Sequence, residues 1–304
     1  MLKDKIKNKQ SGILLYGLTP PKLSYGKERI GQISQKQIKR INALDIDGVI
    51  LYDVQDEISR SGKERPFSFL QSLAPEVYAK EYLHVDKPKI IYRVVGKYKR
   101  ENFCDFLANK DVNFSVFVGT ASKDQKVNLS MDEAYKLRHE IRKDLILGGV
   151  AIAERHKIKK DEPKRIFNKM QNGCEFFVTQ AVYDRDNGRE FLDDYVSFMK
   201  KKNHPLAPII LTLTPCGTLK TLEFMKWLGI SIPKDFEEDL KNSSDFLGKS
   251  VKFCQENFKF LYDYGKKIGV PIGCNVESVA VTRFEIETSV ELLRSIKKIM
   301  NENK

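Results

Sequence analysis

The feature that most constrains the fold is a repeated alternation of short apolar runs, rich in β-branched residues, with longer helical patterns. The runs cover residues 12–18, 47–52, 89–95, 113–118, 148–153, 175–180, 208–213 and 270–275. Most of them are nearly continuous in hydrophobicity, which is typical of strands that are buried on both faces of a parallel sheet. The sequence therefore predicts eight parallel strands.

Helical patterns separate these runs. They cover residues 34–44, 66–83, 99–109, 130–143, 161–172, 188–202, 217–228 and 286–302, with two further helices at 234–243 and 246–266. Ser130 and Asp161 stand just before two of them, as helix N-cap residues do. Eight βα units in order predict a single (β/α)8 TIM barrel domain over residues 1–304, with extra helices between strands seven and eight. A doubly wound sheet is the alternative, because counting elements cannot show closure.

Composition excludes several classes of protein. The chain is 41% hydrophobic and 31% charged, with no apolar run near 18 residues, which excludes a membrane span, a collagen and a disordered tail. The N-terminal stretch does not resemble a secretory signal, so a cytoplasmic location is predicted. Five cysteines without CxxC spacing indicate reduced thiols, and no metal site is predicted.

The net charge of +12 would suit an anionic partner. The excess is spread over nearly every predicted helix, and basic residues do not alternate with aromatic ones as they do in single-strand-binding proteins. Nucleic acid is therefore not a predicted partner.

Polar residues gather where the predicted strands end, and barrels of this kind build their active sites from the loops at that rim. They are Tyr16, Gly17, Thr19, Asp53, Gln55, Asp56, Glu57, Arg93, Thr120, Ser122, Lys123, Glu154, Arg155, His156, Gln180, Tyr183, Asp184, Thr214, Cys216, Asn275 and Glu277.

Several stretches resemble the methylenetetrahydrofolate reductase family. Gly173-Cys-Glu-Phe-Phe-Val-Thr-Gln180, followed by Ala-Val-Tyr-Asp184, is similar to the family's Gly-Ala-x-Phe-x-x-Thr-Gln-x-x-Phe-Asp. Val150-Ala-Ile-Ala-Glu-Arg-His156 resembles its Val-Ala-x-Tyr-Pro-Glu-x-His, and residues 19–22 resemble its Phe-Phe-Pro-Pro-Lys. Residues 208–211 and 228–233 follow its seventh-strand region in the same order.

The resemblance implies a single barrel that holds FAD at its C-terminal rim. It implies hydride transfer from the reduced flavin to the methylene carbon of 5,10-methylenetetrahydrofolate, with NAD(P)H as the source of electrons. Because no GxGxxG motif follows a strand, the choice between NADH and NADPH stays open.

Carried over by position, Gln180 would hydrogen-bond the pterin of the folate, since an amide side chain offers both a donor and an acceptor. Tyr183 and Asn275 are the other expected substrate contacts. The expected flavin contacts are His156, Lys169, Thr120 and Lys123. The alternatives are that a neighbouring loop satisfies Gln180 and that His156 is a surface histidine at a helix start.

The departures from the family pattern are as informative as the matches. The first-strand Glu that helps open the folate ring is replaced by Gly17, which has no proton to give. The Arg-Gly-Asp after strand four, whose Asp contacts the flavin, is replaced by residues 118–123, and the Thr-Tyr-Gly-Ala-Gly after strand two by residues 51–57. The chain is expected to be a divergent branch.

A replacement acid is expected elsewhere on the rim. Glu57 is the first candidate and Asp53 the second, because clustered carboxylates raise the pKa of at least one member. Glu277 is the third, because strand eight closes the barrel against strand one. The alternative is that Asp56 and Glu57 pair at the surface with Arg60, Lys63 and Arg65.

Three functions stay open at this point. The first is a folate-linked oxidoreductase that reduces 5,10-methylenetetrahydrofolate to 5-methyltetrahydrofolate. The second is a flavin-free reductase that moves hydride directly from the nicotinamide, and the third is a folate-binding or methyl-transfer accessory protein. A homo-oligomer, or a complex with a folate-using enzyme, is compatible with each.

Overall fold

Eight parallel strands form a closed barrel in chain order in the computed structural model, which describes residues 1–55, 64–119, 126–280 and 282–302. The strands are β1 Leu14–Leu18, β2 Gly48–Leu51, β3 Lys89–Val94, β4 Phe114–Val118, β5 Ile146–Ala151, β6 Cys174–Ala181, β7 Ile209–Leu213 and β8 Ile272–Glu277. Pairing of β1 with β8 closes the sheet. The predicted TIM barrel is confirmed, and the doubly wound alternative is wrong.

Helices surround this barrel. They are α1 Leu2–Lys7, α2 Lys27–Asn42, α3 Pro75–Glu81, α4 Arg100–Ala108, α5 Met131–Ile141, α6 Ala153–Lys159, α7 Glu162–Gln171, α8 Arg185–Lys201, α9 Leu219–Trp227, α10 Lys234–Lys241, α11 Phe246–Ile268 and α12 Arg283–Glu302. The predicted extra helices between strands seven and eight are therefore present, as α10 and α11. None of the helices in the described ranges is long and apolar enough to cross a membrane.

Some predicted helix boundaries are wrong. The helix expected over 66–83 is confined to α3, because the chain before it bonds to the segment that follows β1. Leu23 N–H donates to the Gln71 carbonyl, and Leu73 N–H donates to the Pro21 carbonyl. α2 begins at Lys27 rather than 34, and α1 and α6 were not predicted.

The two predicted helix starts differ. Ser130 forms the full capping box of α5, in which its hydroxyl accepts from the Glu133 N–H at 3.2 Å and the Glu133 carboxylate accepts from the Ser130 N–H at 3.2 Å. Asp161 precedes α7 but makes no side-chain cap hydrogen bond.

The core has two shells, because successive side chains of a strand point to opposite faces of the sheet. The outer shell lies between the barrel and its helices. The inner shell fills the barrel, and α1 contributes Leu2 and Ile6 to it. Lys5 of this helix bonds to Asp47 at 2.8 Å, just before β2. α1 thus closes the N-terminal end of the barrel with apolar side chains.

Because of the same alternation, two side chains that were expected on the rim lie elsewhere. Tyr16 belongs to the outer shell. Arg93, on β3, bonds to Glu76 of α3 at 2.5 Å and lies over the Tyr98 ring. Both side chains therefore face the helix layer, and their neighbours in sequence, Gly17 and Tyr92, face the barrel axis.

Candidate functional site

The C-terminal mouth of the barrel holds a polar cluster where β8 meets β1 and β2. The strand register places Gly17 of β1 directly opposite Glu277 of β8. Asn275 Nδ2 donates to the Tyr52 hydroxyl at 2.9 Å and lies 3.3 Å from Thr212 Oγ1 on β7. Tyr52 and Asn275 also lie close enough to the Glu277 carboxyl to lower its pKa. We call Tyr52, Asn275 and Glu277 the β8 cluster.

Burial raises the pKa of Glu277 to about 7, against the lowering effect of its hydrogen bonds with Tyr52 and Asn275. The pKa of Tyr52 is raised well above its ordinary value, chiefly by burial and then by the nearby Glu277 charge. Burial also raises the pKa of Tyr92. Its ring packs edge-on against the Tyr52 ring, with 4.8 Å between the two ring centroids. The tyrosines therefore keep their protons at neutral pH, whereas Glu277 exchanges its proton there.

The β8 cluster fills the space next to Gly17. A Cβ atom at position 17 would lie 2.9 Å from Cε2 of the Tyr52 ring and 3.0 Å from Asn275 Oδ1. Real Cβ atoms almost never approach other atoms this closely, so a longer side chain would displace the cluster. Asn275 Oδ1 is buried and has no hydrogen-bond partner among the described residues.

The expected substrate residues lie in different surroundings. Gln180, half-buried near the end of β6, donates from Nε2 to the Leu228 carbonyl at 2.8 Å. Tyr183 is 1% exposed, its hydroxyl donates to the Thr214 carbonyl, and its ring stacks on Phe253. The structure brings Asn275 to the mouth beside Glu277, whereas it places Tyr183 in the packing between the barrel and α11.

The expected acids are also separated. Asp53 is buried, and both of its oxygens are occupied: Oδ1 pairs with Lys97 Nζ at 2.6 Å, and Oδ2 accepts from the Val94 N–H at 3.0 Å. It joins the end of β2 to the end of β3. Glu57 lies outside the described residues, as do the other partners proposed for the loop after β2, apart from Arg65. Glu277 alone of the three stands beside Gly17 in the described structure.

Two of the four expected flavin contacts, Thr120 and Lys123, lie outside the described residues. His156 is 1% exposed and bonds from Nε2 to Asp194 of α8 at 2.8 Å. Lys169, in α7, bonds to the Val150 carbonyl, and burial lowers its pKa. Both of these side chains therefore already have partners within the fold.

A second buried carboxyl lies on the opposite side of the mouth, in the first turn of α6 after β5. Both oxygens of Glu154 are buried and have no hydrogen-bond partner in the described ranges. Burial raises the pKa of Glu154 to about 8, and the nearby Asp184 and Glu162 carboxylates add to the rise. Glu162 itself pairs with Arg155 at 2.8 Å.

A cleft of about 240 Å³ opens beside this mouth, above the ends of β2 to β4. Val54, Gln55, Gly96, Lys97 and Lys126 are among its lining residues. A larger cleft of about 390 Å³ lies between α6 and α8, has only polar and charged lining residues, and includes none of the β8 cluster. The smaller cleft does not include the β8 cluster either, but its lining begins at Val54, two residues after Tyr52.

Sequence reasoning placed Asn275 and Glu277 on the rim and missed Tyr52, Tyr92 and Thr212. The signal that could have found them is the two-residue period of a strand. Once Gly17 is taken to face the barrel axis, the same phase on β2, β3 and β7 selects these three residues. Chemically, the site offers a carboxyl that titrates near neutral pH, two tyrosine hydroxyls and two side-chain amides.

Comparison with known proteins gives a family match and a structural match. A sequence profile described as methylenetetrahydrofolate reductase matches residues 146–268. A solved structure from Clostridium thermocellum, described as an uncharacterized protein that binds two copies of 5-methyl-5,6,7,8-tetrahydrofolic acid, is 48% identical with a TM-score of 0.89. The alignment covers 99% of this chain and 100% of that one.

Two more distant structures also align. A 2,3-dimethylmalate lyase is 12% identical with a TM-score of 0.43, over 100% of this chain and 98% of that one. A psychrophilic family 10 endo-beta-1,4-xylanase is 10% identical with a TM-score of 0.47, over 98% and 99%. No curated protein matches the sequence.

Proposed function

Because the chain belongs to the methylenetetrahydrofolate reductase family, we propose that it binds a reduced folate in the barrel mouth and reduces 5,10-methylenetetrahydrofolate to 5-methyltetrahydrofolate. The observation that carries this proposal is the β8 cluster, which supplies a carboxyl of suitable pKa beside the position where the family's acid is replaced by Gly17. The relative's binding of 5-methyl-5,6,7,8-tetrahydrofolic acid supports the substrate class.

The reaction needs one proton and one hydride. The bond between the methylene carbon and N10 breaks, N10 takes a proton, and the methylene carbon takes a hydride to become the methyl group on N5. Glu277 is the proposed proton donor, because a general acid works best when its pKa lies near the operating pH. Asp53 is a weaker candidate, since Lys97 and the Val94 N–H already occupy its oxygens.

Gln180 is the proposed pterin contact. Its amide now bonds to the Leu228 carbonyl after α9, so folate binding would exchange this bond for one to the pterin. The benzoyl-glutamate tail of a folate is anionic, and Lys126 in the smaller cleft offers it a positive charge, whereas the neighbouring Lys97 is paired with Asp53. The substrate would then extend from the β8 cluster towards the ends of β2 to β4.

A flavin reduced by NAD(P)H would supply the hydride. FAD in extensively dialysed protein is detected by its absorbance bands, and folate-dependent oxidation of NADH or NADPH measures the reaction. We expect both signals. Folate binding without folate-dependent NAD(P)H oxidation, with FAD supplied, would contradict the reductase proposal and leave a folate-binding or methyl-transfer accessory role.

A flavin-free reductase is the second candidate, and the positions of His156 and Lys169 favour it. Both side chains are engaged by other parts of the fold, at Asp194 and at the Val150 carbonyl. In this case hydride passes directly from NAD(P)H to the folate. Turnover in a colourless protein that takes up no added FAD would establish it over the flavin route.

A further inference from the structure

The space beside Gly17 is occupied by a side chain from a different strand. A Cβ at position 17 would lie within 3.0 Å of both the ring and the hydroxyl oxygen of Tyr52, which follows β2. Gly17 and Glu277 are opposite each other in the β1–β8 register. Because position 17 has no side chain, Tyr52 can lie next to the Glu277 carboxyl.

The hydrogen bonds of Tyr52 have a defined direction. Asn275 Nδ2 can only donate, and it lies 2.9 Å from the Tyr52 oxygen, which must accept. The tyrosine proton is then available for the Glu277 carboxyl, which lies opposite Gly17 where the Tyr52 hydroxyl comes closest to β1. Because burial and the Glu277 charge keep Tyr52 protonated, it remains a donor throughout the range in which Glu277 titrates.

We propose that Tyr52 is the positioning residue of Glu277: its ring occupies the place left by the missing first-strand side chain, and its hydroxyl, oriented by Asn275, holds and stabilises the Glu277 carboxylate. Where the proposed reductase function holds, Tyr52 thereby sets the pH range in which Glu277 can give a proton. This inference deepens that proposal for the same site, and it concerns a residue that the family resemblance does not single out.

The groups that face Glu277 are few in the described structure. β1 offers only Gly17, β2 is followed by Tyr52, β3 carries Tyr92, and β7 carries the uncharged Thr212. Burial raises the pKa of Glu277, whereas the bonds from Tyr52 and Asn275 lower it. Removing the Tyr52 hydroxyl alone should therefore make the carboxylate less stable.

The test measures the titration of Glu277 itself. In protein labelled with 13C at glutamate carboxyls, the Glu277 resonance is the one lost in Glu277→Gln, and its midpoint is followed from pH 5 to 9. We expect Tyr52→Phe to raise the midpoint by about one pH unit, since a donor to the charged form is lost. Tyr92→Phe is the matched control, because Tyr92 makes no hydrogen bond to Glu277 that contributes to its pKa.

Gly17→Ala provides a second, independent variant. Its added methyl group would push against the Tyr52 ring, so the midpoint should rise, by less than in Tyr52→Phe. An unchanged or lowered midpoint in Tyr52→Phe, or equal shifts in Tyr52→Phe and Tyr92→Phe, would overturn the inference. If Tyr52→Phe does not fold, an unchanged or lowered Glu277 midpoint in Gly17→Ala would overturn the inference.

Activity is a separate readout. If the protein reduces folate, the alkaline fall of kcat/KM should move to higher pH in Tyr52→Phe together with the Glu277 midpoint, because the acid keeps its proton longer. If no folate is reduced but the midpoint shifts as expected, the proposed function fails while the role of Tyr52 stands. If folate is reduced but the midpoint does not shift, the proposed function stands while the role of Tyr52 fails.

Discussion

The two sides of the barrel mouth each hold a buried carboxyl, but they surround it differently. The side chains of Tyr52 and Asn275 lower the pKa of Glu277, whereas like-charged carboxylates, Asp184 and Glu162, raise that of Glu154. Burial raises the pKa of Glu277 to about 7 and that of Glu154 to about 8. Hydrogen bonds with Tyr52 and Asn275 offset part of the rise at Glu277, whereas at Glu154 a backbone hydrogen bond offsets part of it and the Asp184 and Glu162 carboxylates add to it. Burial makes a carboxyl hold its proton, and the neighbouring donors and charges decide at which pH it releases that proton.

Removing each carboxyl in turn should have unequal effects on the rate of folate reduction. Glu277→Gln should lower the rate of folate reduction by about 10² to 10⁴, the usual loss when a general acid is removed. Glu154→Gln should change the rate less than about tenfold, since Glu154 lies after β5, on the opposite side of the mouth from Gly17. Folate-dependent NAD(P)H oxidation across pH measures both.

Asp53→Asn completes this experiment. Its carboxylate holds β2 to β3 through Lys97 and Val94, so we expect lower stability with an unchanged pH profile. A loss of rate in Asp53→Asn or Glu154→Gln as large as that in Glu277→Gln would show that the acid has been assigned to the wrong carboxyl.

The next largest effect concerns stability and pH. A carboxyl whose folded pKa is raised stabilises the fold at low pH, and this contribution is lost as pH rises from its ordinary 4.5 to the folded value of about 8. Glu154→Gln removes that loss, because a neutral amide does not ionise. The variant should therefore be more stable than the wild type at pH 9, by roughly 2 to 4 kcal/mol, and differ little at pH 5.

Urea unfolding at the two pH values checks this prediction. Glu133→Gln is a useful comparison, because the hydrogen bonds to Ser130 lower the pKa of Glu133 rather than raise it. Removing that charge should not increase stability at pH 9. Equal stability of Glu154→Gln and the wild type at pH 9 would mean that the Glu154 carboxyl is solvated.

The smallest expected effect separates two residues that the sequence placed together as substrate contacts. Gln180→Ala should weaken reduced-folate binding by about 1 to 3 kcal/mol, because the polar edge of the pterin loses its partner. Tyr183→Phe should leave the affinity nearly unchanged, since that hydroxyl already donates to the Thr214 carbonyl in the core. Calorimetric titration with 5-methyltetrahydrofolate measures both, and the opposite order of losses would place the pterin against Tyr183.

The helix predictions were correct where the stabilising interactions are local and wrong where they are long-range. The N-cap role of Ser130 was predicted correctly because all of the groups that form its cap lie within four residues. The helix over 66–83 was wrong because residues 71 and 73 bond to the chain near residue 22, about fifty positions away. Local patterns cannot show that a distant segment offers the backbone better partners.

The site predictions divide in the same way. Asn275 and Glu277 were expected on the rim and lie together there, whereas Tyr16, Arg93 and Tyr183 were expected there and face the helix layer. The sequence alone does not show which of two neighbouring polar or aromatic residues at a strand end points into the barrel. Which of them faces the barrel axis depends on the phase of the strand, and this phase is fixed by closure.

By itself the sequence determined the eight strands, their order and their parallel direction, because hydrophobic periodicity is a local property and short βα connections impose a handedness. It also determined that the first-strand acid is absent, since Gly17 has no side chain. That Tyr52 fills the vacant space, and that Glu277 stands opposite Gly17, follows from the closed barrel. Those contacts join β2 and β8 to β1 across the closed sheet, and residues more than two hundred positions apart meet only once the barrel has closed.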